Sequence, residues 1–299
     1  TFRWRRSGDG VWRGPIGDCL VTLRPDGRRL HADSVPERGD LEERVRTYLR
    51  GGDDIPRIQS ELSKDPVVRR GARAMAGLRI VKMDEWECLA SYTLATYANI
   101  PRISGMIERL ATRYGDPIAE GVHAFPSIGQ LRGASSRGLR ACGLGYRADY
   151  VARMCRMVDD GRLEEMRRMS DADLRGALLG LPGVGDKVAD CVALFGFGRL
   201  GAFPIDVWMQ RALLRLYGVR GSYASLREFA SGRFGGYAGY AQEYLYYNER
   251  GLSKGGPCAF TRRGGSSGRS PLSPTPRPSP LRPRRSPLPR SCRAVAQPS

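Results

Sequence analysis

The stretch Leu181-Pro182-Gly183-Val184-Gly185-Asp186-Lys187-Val188-Ala189-Asp190 constrains this chain more than any other. Two glycines flank one aliphatic residue, with helical spacing before them (171–179) and an apolar helical pattern after them (186–197). That arrangement predicts two helices joined by a tight hairpin at a steep angle. Val184 plugs such a hairpin into the core. Gly183 and Gly185 leave the first-turn N–H groups of the second helix open to a phosphate. A bare Gly-x-Gly also occurs in ordinary turns. With Leu-Pro ahead of it and helices on both sides, it reads as a helix–hairpin–helix, a sequence-independent clamp on a DNA backbone.

Lys187 falls in the first turn of that second helix, where the macrodipole is positive and disfavours an ammonium. A lysine there is, on its own, more often solvated or bound to phosphate than catalytic. Nineteen residues on, Phe203-Pro204-Ile205-Asp206-Val207-Trp208-Met209 reads as another helix start, with Asp206 as its cap. If that helix packs beside the hairpin, the Asp206 carboxylate stands opposite Lys187. It can then stabilise positive charge developing on a sugar and help to activate the amine. The pair is more informative than either residue.

Around this centre the pattern is helical from Asp84 onward, with segments at 84–97, 101–114, 127–132, 136–141, 147–160, 171–179, 186–197, 205–217 and 236–249. Two further helices are expected at 41–49 and 55–62. Residues 1 to about 35 alternate apolar and polar side chains around Pro25-Asp26-Gly27, which predicts a small antiparallel sheet. The expected fold is mainly α with an N-terminal antiparallel β-rich domain (α+β). The expected division is 1–83 (sheet plus helices, its start truncated because the chain opens at Thr1 inside a strand), 84–254 (helical core, hairpin at 181–185) and 255–299. This last segment holds ten Pro, nine Arg and no acid, a composition expected to be disordered.

The formal net charge is +18, and half of it lies outside the tail, so the body is itself basic and nucleic acid is the favoured partner. No apolar run approaches the roughly 20 residues of a membrane span. The seven cysteines, at 19, 88, 142, 155, 191, 258 and 292, form no Cys-x-x-Cys pair. A disulfide framework, a zinc site and a four-cysteine iron–sulfur cluster are therefore not expected, and an intracellular setting with DNA is.

Gly183-Val184-Gly185-x-Lys187-Val188-Ala189-Asp190-Cys191, followed at that interval by Pro204-Ile205-Asp206-Val207, resembles the helix–hairpin–helix, Gly/Pro-rich, Asp (HhH-GPD) superfamily of DNA glycosylases. The resemblance is to its 8-oxoguanine DNA glycosylase/AP lyase branch. It extends to Asn99-Ile100-Pro101-Arg102-Ile103-Ser104-Gly105, to Gly143-Leu144-Gly145-Tyr146-Arg147-Ala148, to Tyr237-Ala238-Gly239-Tyr240-Ala241-Gln242 and to the opening Phe2-Arg3-Trp4-Arg5. It covers about residues 1–250.

The resemblance implies excision of an oxidised purine from duplex DNA, with Lys187 as nucleophile forming a Schiff base and Asp206 as its partner, then β-elimination. It implies a base pocket of Cys191, Gln242 and Tyr246, opposite-base and wedge contacts from Asn99, Arg102, Tyr146 and Arg147, and a backbone clamp at Gly183, Val184 and Gly185. No cofactor, metal or iron–sulfur cluster is implied, and a monomer is expected. The pattern departs at Tyr97, where the family usually has an asparagine, and at Trp208, where it has a histidine. The alternatives are an endonuclease III-like glycosylase for oxidised pyrimidines, which normally carries a four-cysteine cluster, and a non-catalytic helix–hairpin–helix DNA-binding protein.

Overall fold

Period-two alternation does produce a sheet. In the computed structural model, which describes residues 2–253 except Arg28, strands β1 (Arg5–Arg6), β2 (Trp12–Ile16), β3 (Cys19–Asp26) and β4 (Arg29–Val35) pair antiparallel in chain order. The β3–β4 turn uses Gly27 at φ +56°, a left-handed conformation that favours glycine. Cys19, Val21 and Leu23 alternate onto the buried face and pack against Val45 of α1 (Leu41–Tyr48). The tail expected at 255–299 lies outside the described residues.

The remaining elements are α2 (Ile55–Leu62), α3 (Pro66–Ala74), α4 (Glu85–Leu94), α5 (Ile100–Tyr114), a short ribbon of β5 (Pro117–Ala119) and β6 (Val122–His123), then α6 (Ile128–Arg132), α7 (Ser136–Ala141), α8 (Arg147–Met157), α9 (Asp160–Arg168), α10 (Asp171–Leu179), α11 (Asp186–Phe195), α12 (Val207–Tyr217), α13 (Tyr223–Phe234) and α14 (Ala238–Ser253). Three of these helices were not anticipated. Each starts at a side-chain cap: Asp65 accepts from the Val67 and Val68 N–H groups, Asp159 from Arg162 and Ser222 from Ser225. In α9 only Leu163 and Met166 are buried, too sparse a stripe to register as helical periodicity. The helix expected over 147–160 accordingly ends at Met157, and Asp159 opens the next.

Two helical cores meet along α11. Val188, Ala189, Val192 and Ala193 join a cluster built from α4–α10. Leu194 joins a second cluster that combines α2 and α3 with α12–α14, including Ile58, Val68, Met209, Leu213, Tyr240 and Tyr244. Helices close to the N-terminus thus bury their apolar faces against the C-terminal ones. Gly239 makes this closeness possible. A Cβ there would lie 2.4 Å from Leu194 Cδ1, so α14 approaches α11 only where a side chain is absent. No helix of the described residues is long and apolar enough to cross a membrane.

Candidate active site

Helical spacing explains what the α11–α14 contact encloses. Lys187, Cys191 and Phe195 lie four residues apart on one face of α11, and Gln242, Glu243 and Tyr246 share one face of α14. With Tyr92 of α4 and the Pro204–Asp206 segment, these side chains line a cavity of about 130 Å³. It continues into an open cleft of about 690 Å³ that also includes Phe2, Arg79, Asn99, Trp208 and Tyr247. Lys187 and Asp206, separated in the chain and carried on different helices, therefore face a common hollow.

Lys187 is half-buried, its Nζ 5.0 Å from the centroid of the Tyr92 ring. Tyr92 in turn stacks on Phe195 at 5.6 Å and meets Phe2 edge-on at 5.4 Å. An aromatic wall thus holds the amine from one side. Asp206 is the N-cap of α12, one oxygen accepting from the Met209 N–H at 2.9 Å. The cap fixes the carboxylate at a helix start lining the cavity, and its second oxygen makes no hydrogen bond among the described residues. Cys191 is 3% exposed, and burial pushes its thiol up to about 11, so it serves as a small apolar wall. Gln242 is 5% exposed, and its buried Oε1 has no hydrogen-bond partner among the described residues. An orphaned acceptor inside a cavity is costly unless a ligand supplies the donor.

The hairpin forms between α10 and α11 where the glycines predicted it. Gly183 takes φ +79°, and its missing Cβ position is occupied by the Tyr150 ring, 2.5 Å away. Val184 is buried, its N–H bonded to the Leu181 carbonyl. Gly185 is the N-cap of α11 without any side-chain cap, and it and Asp186 are exposed, so the first-turn N–H groups face solvent. Beneath the hairpin Asp190 receives Tyr223 Oη at 2.7 Å and Arg175 Nε at 3.2 Å, tying α11 to α10 and α13.

The remaining predicted residues gather on a neighbouring ridge. Asn99 caps α5 through the Arg102 N–H at 3.0 Å, and Arg102 is exposed. Tyr146 is 50% exposed at the start of α8. Arg147 lies beneath it, 4.5 Å from its ring centroid, only 2% exposed and bonded through Nε and Nη2 to the Thr96 carbonyl. The next residue, Tyr97, is 94% exposed at φ +50°, a strained conformation for a tyrosine.

Sequence reasoning missed Tyr92, Arg79 and Glu243. Tyr92 sits in an apolar helix that reads as core. Glu243 follows Gln242 on an otherwise apolar helix face, an acid out of place there, and that was the signal. Among the described residues no group of three or more His, Cys, Asp or Glu is placed to hold a metal ion, and Cys19, Cys88, Cys142, Cys155 and Cys191 are all free.

Two family profiles match in succession: the 8-oxoguanine DNA glycosylase N-terminal domain over residues 1–89, and the HhH-GPD superfamily of base excision DNA repair proteins over residues 96–232. The N-glycosylase/DNA lyase OGG1 of Arabidopsis thaliana is 30% identical over 273 residues, 83% of this chain and 74% of its own. The N-glycosylase/DNA lyase of Saccharomyces cerevisiae is 30% identical, over 87% of this chain and 84% of its own. Among solved structures, the 8-oxoguanine glycosylase/lyase of Clostridium acetobutylicum, bound to double-stranded DNA with cytosine opposite 8-oxoguanine, superposes with a TM-score of 0.79. It is 28% identical, and the match covers 85% of this chain and 89% of that one.

Proposed function

The chain belongs to the HhH-GPD superfamily of base excision DNA repair proteins, in its 8-oxoguanine glycosylase branch, and we propose that its Lys187–Asp206 cavity is where a damaged base is cut from DNA. The enzyme is a DNA N-glycosylase and DNA lyase, and its substrate is duplex DNA carrying 8-oxoguanine. The observation that carries the site assignment is the shared hollow: Lys187 and Asp206 line one small cavity together with the orphaned Gln242 oxygen.

The mechanism follows from the geometry. The glycosidic carbon is out of reach inside the base stack, so the nucleotide is everted into the cavity. The exposed N–H groups of Gly185 and the first turn of α11 hold a backbone phosphate without reading sequence. The Lys187 amine attacks the anomeric carbon as the bond to the base breaks, and the Asp206 carboxylate stabilises the positive charge developing on the sugar. Ring opening gives a Schiff base on Lys187, whose electron-withdrawing nitrogen permits β-elimination of the 3′-phosphate. These steps use side chains alone and require no cofactor.

Gln242 accepts a hydrogen bond from the everted base, while Cys191 and Tyr246 flank it. Tyr146 fills the gap left in the stack, and Asn99, Arg102 and Arg147 meet the unpaired cytosine. The protein works as a monomer, inside the cell where DNA is.

Borohydride trapping tests this reading. With a duplex carrying 8-oxoguanine opposite cytosine, the wild type is expected to give a covalent adduct. Lys187→Gln is expected to give none while still binding the lesion. Equal trapping by the variant assigns the chemistry to another amine, and binding without any wild-type adduct supports a non-catalytic DNA-binding module.

A further inference from the structure

Glu243 is a carboxylic acid inside a base-sized cavity, and nothing in the mechanism above uses it. It lines both the inner cavity and the outer cleft, beside Gln242 and across from Lys187 and Asp206. It makes no hydrogen bond or ion pair among the described residues, whereas nearly every other buried acid of the fold is tied to an arginine. Glu85 is bonded to Arg167, Asp190 to Arg175 and Asp65 to Arg233. A half-buried, unpaired carboxyl is destabilising in its charged form and gains a partner only when a ligand arrives.

Resting on the glycosylase assignment, we propose that Glu243 is a further catalytic residue, the general acid that protonates the departing base. Displacement by Lys187 leaves the glycosidic electron pair on the base nitrogen. The Glu243 carboxyl gives its proton to the base, which departs neutral. The carboxylate so formed then takes a proton from the cationic secondary amine that joins Lys187 to the sugar, and the acid is restored. No outside reagent is consumed, and the Asp206 carboxylate stabilises the sugar cation. Two neighbouring acids thereby take opposite roles, one stabilising the sugar cation and one donating a proton to the base.

The electrostatics of the cavity agree. Burial pushes the Glu243 carboxyl up to about 7, and the Asp206 carboxylate adds to the rise. Lys187 and Cys191 face it from α11, Tyr92 from α4, Asp206 from the start of α12, Tyr246 from its own helix, and Arg79 from the outer cleft. An acid with a pKa near the operating pH is the most effective proton donor there.

The experiment compares two rates in the wild type, E243Q and E243D. One is single-turnover excision of 8-oxoguanine opposite cytosine, and the other is borohydride trapping on a preformed abasic site, where no base remains to be protonated. E243Q is expected to slow excision about 100-fold, a typical contribution of general acid catalysis, and to slow abasic trapping far less. E243D is expected to restore part of the excision rate. Wild-type excision is expected to decline as pH rises through about 7, and that decline is expected to be missing in E243Q. Equal losses in both rates identify a collapsed cavity and overturn the proposal, as does an unchanged excision rate in E243Q. A wild type that traps neither substrate refutes instead the glycosylase assignment on which the proposal stands.

Discussion

The Lys187 amine rests 5.0 Å above the Tyr92 ring, and that ring is itself clamped by Phe195 from the same helix as the lysine. The amine is thereby aimed by a neighbour on α4 rather than left to sample its long-chain rotamers, which matters because the proposed attack requires one orientation. Tyr92→Phe keeps the aromatic face and is expected to retain excision within about threefold. Tyr92→Leu removes an attraction of about 0.5–2 kcal/mol and frees the amine, so single-turnover excision is expected to fall about tenfold with lesion binding nearly unchanged. A loss that appears only in binding excludes this positioning role.

The two hairpin glycines separate cleanly. Gly183 sits at φ +79° with the Tyr150 ring 2.5 Å from where a Cβ would stand, whereas Gly185 takes an ordinary φ of −98° with open space around it. Gly183→Ala adds left-handed strain and overpacking together, about 2–4 kcal/mol of stability measured by urea denaturation. Gly185→Ala is expected to cost less than about 1 kcal/mol. Equal costs for the two substitutions exclude this account of the turn.

These contrasts mark what the residue order discloses. The hairpin was legible because a Gly-x-Gly with Pro ahead and helices on both sides leaves few alternatives, and Asp206 was legible as a cap. Cys191 follows Lys187 by one helical turn, and only the family resemblance implied its place beside the base. Tyr92 was not legible, and Glu243 was marked only as an acid out of place on its helix. Their positions depend on how α4 and α14 pack against α11, and the Gly239–Leu194 contact that sets that spacing joins residues far apart in the chain. Helix α9 escaped because its burial rests on two side chains and its exposed face on local ion pairs such as Arg168–Glu164.

Arg147 offers a test of the opposite-base contacts. Its guanidinium is held between the Tyr146 ring and the Thr96 carbonyl, and so it must leave Thr96 to meet an unpaired cytosine. Arg147→Ala is expected to reduce the preference for cytosine opposite the lesion about tenfold, since a forked base contact is worth about 1–3 kcal/mol. Arg147→Lys keeps the charge without the fork and is expected to fall between. Excision rates against the four opposite bases measure this, and an unchanged ratio in the alanine variant removes Arg147 from base reading.

Glu87 supplies a prediction away from the cavity. It lies 4.0 Å from Arg3 Nη1, an atom without a hydrogen-bond partner among the described residues, and burial pushes its carboxyl from 4.5 up to about 7 in spite of that cation. The folded state therefore binds a proton more tightly than the unfolded chain between about pH 4.5 and 7. Over that window stability declines as pH rises, and above it the charged form is a net cost. Glu87→Gln removes the charge while preserving shape, and Arg3 keeps Glu108 at 3.5 Å and the His123 carbonyl at 2.5 Å. The variant is expected to be about 1–3 kcal/mol more stable than the wild type at pH 8 and nearly equal to it at pH 5. Because Glu243 titrates in the same range in both proteins, the difference between their urea midpoints isolates Glu87. A gain of the same size at both pH values attributes the effect to packing, and a loss at pH 8 makes the Arg3–Glu87 pair a net stabiliser of the fold.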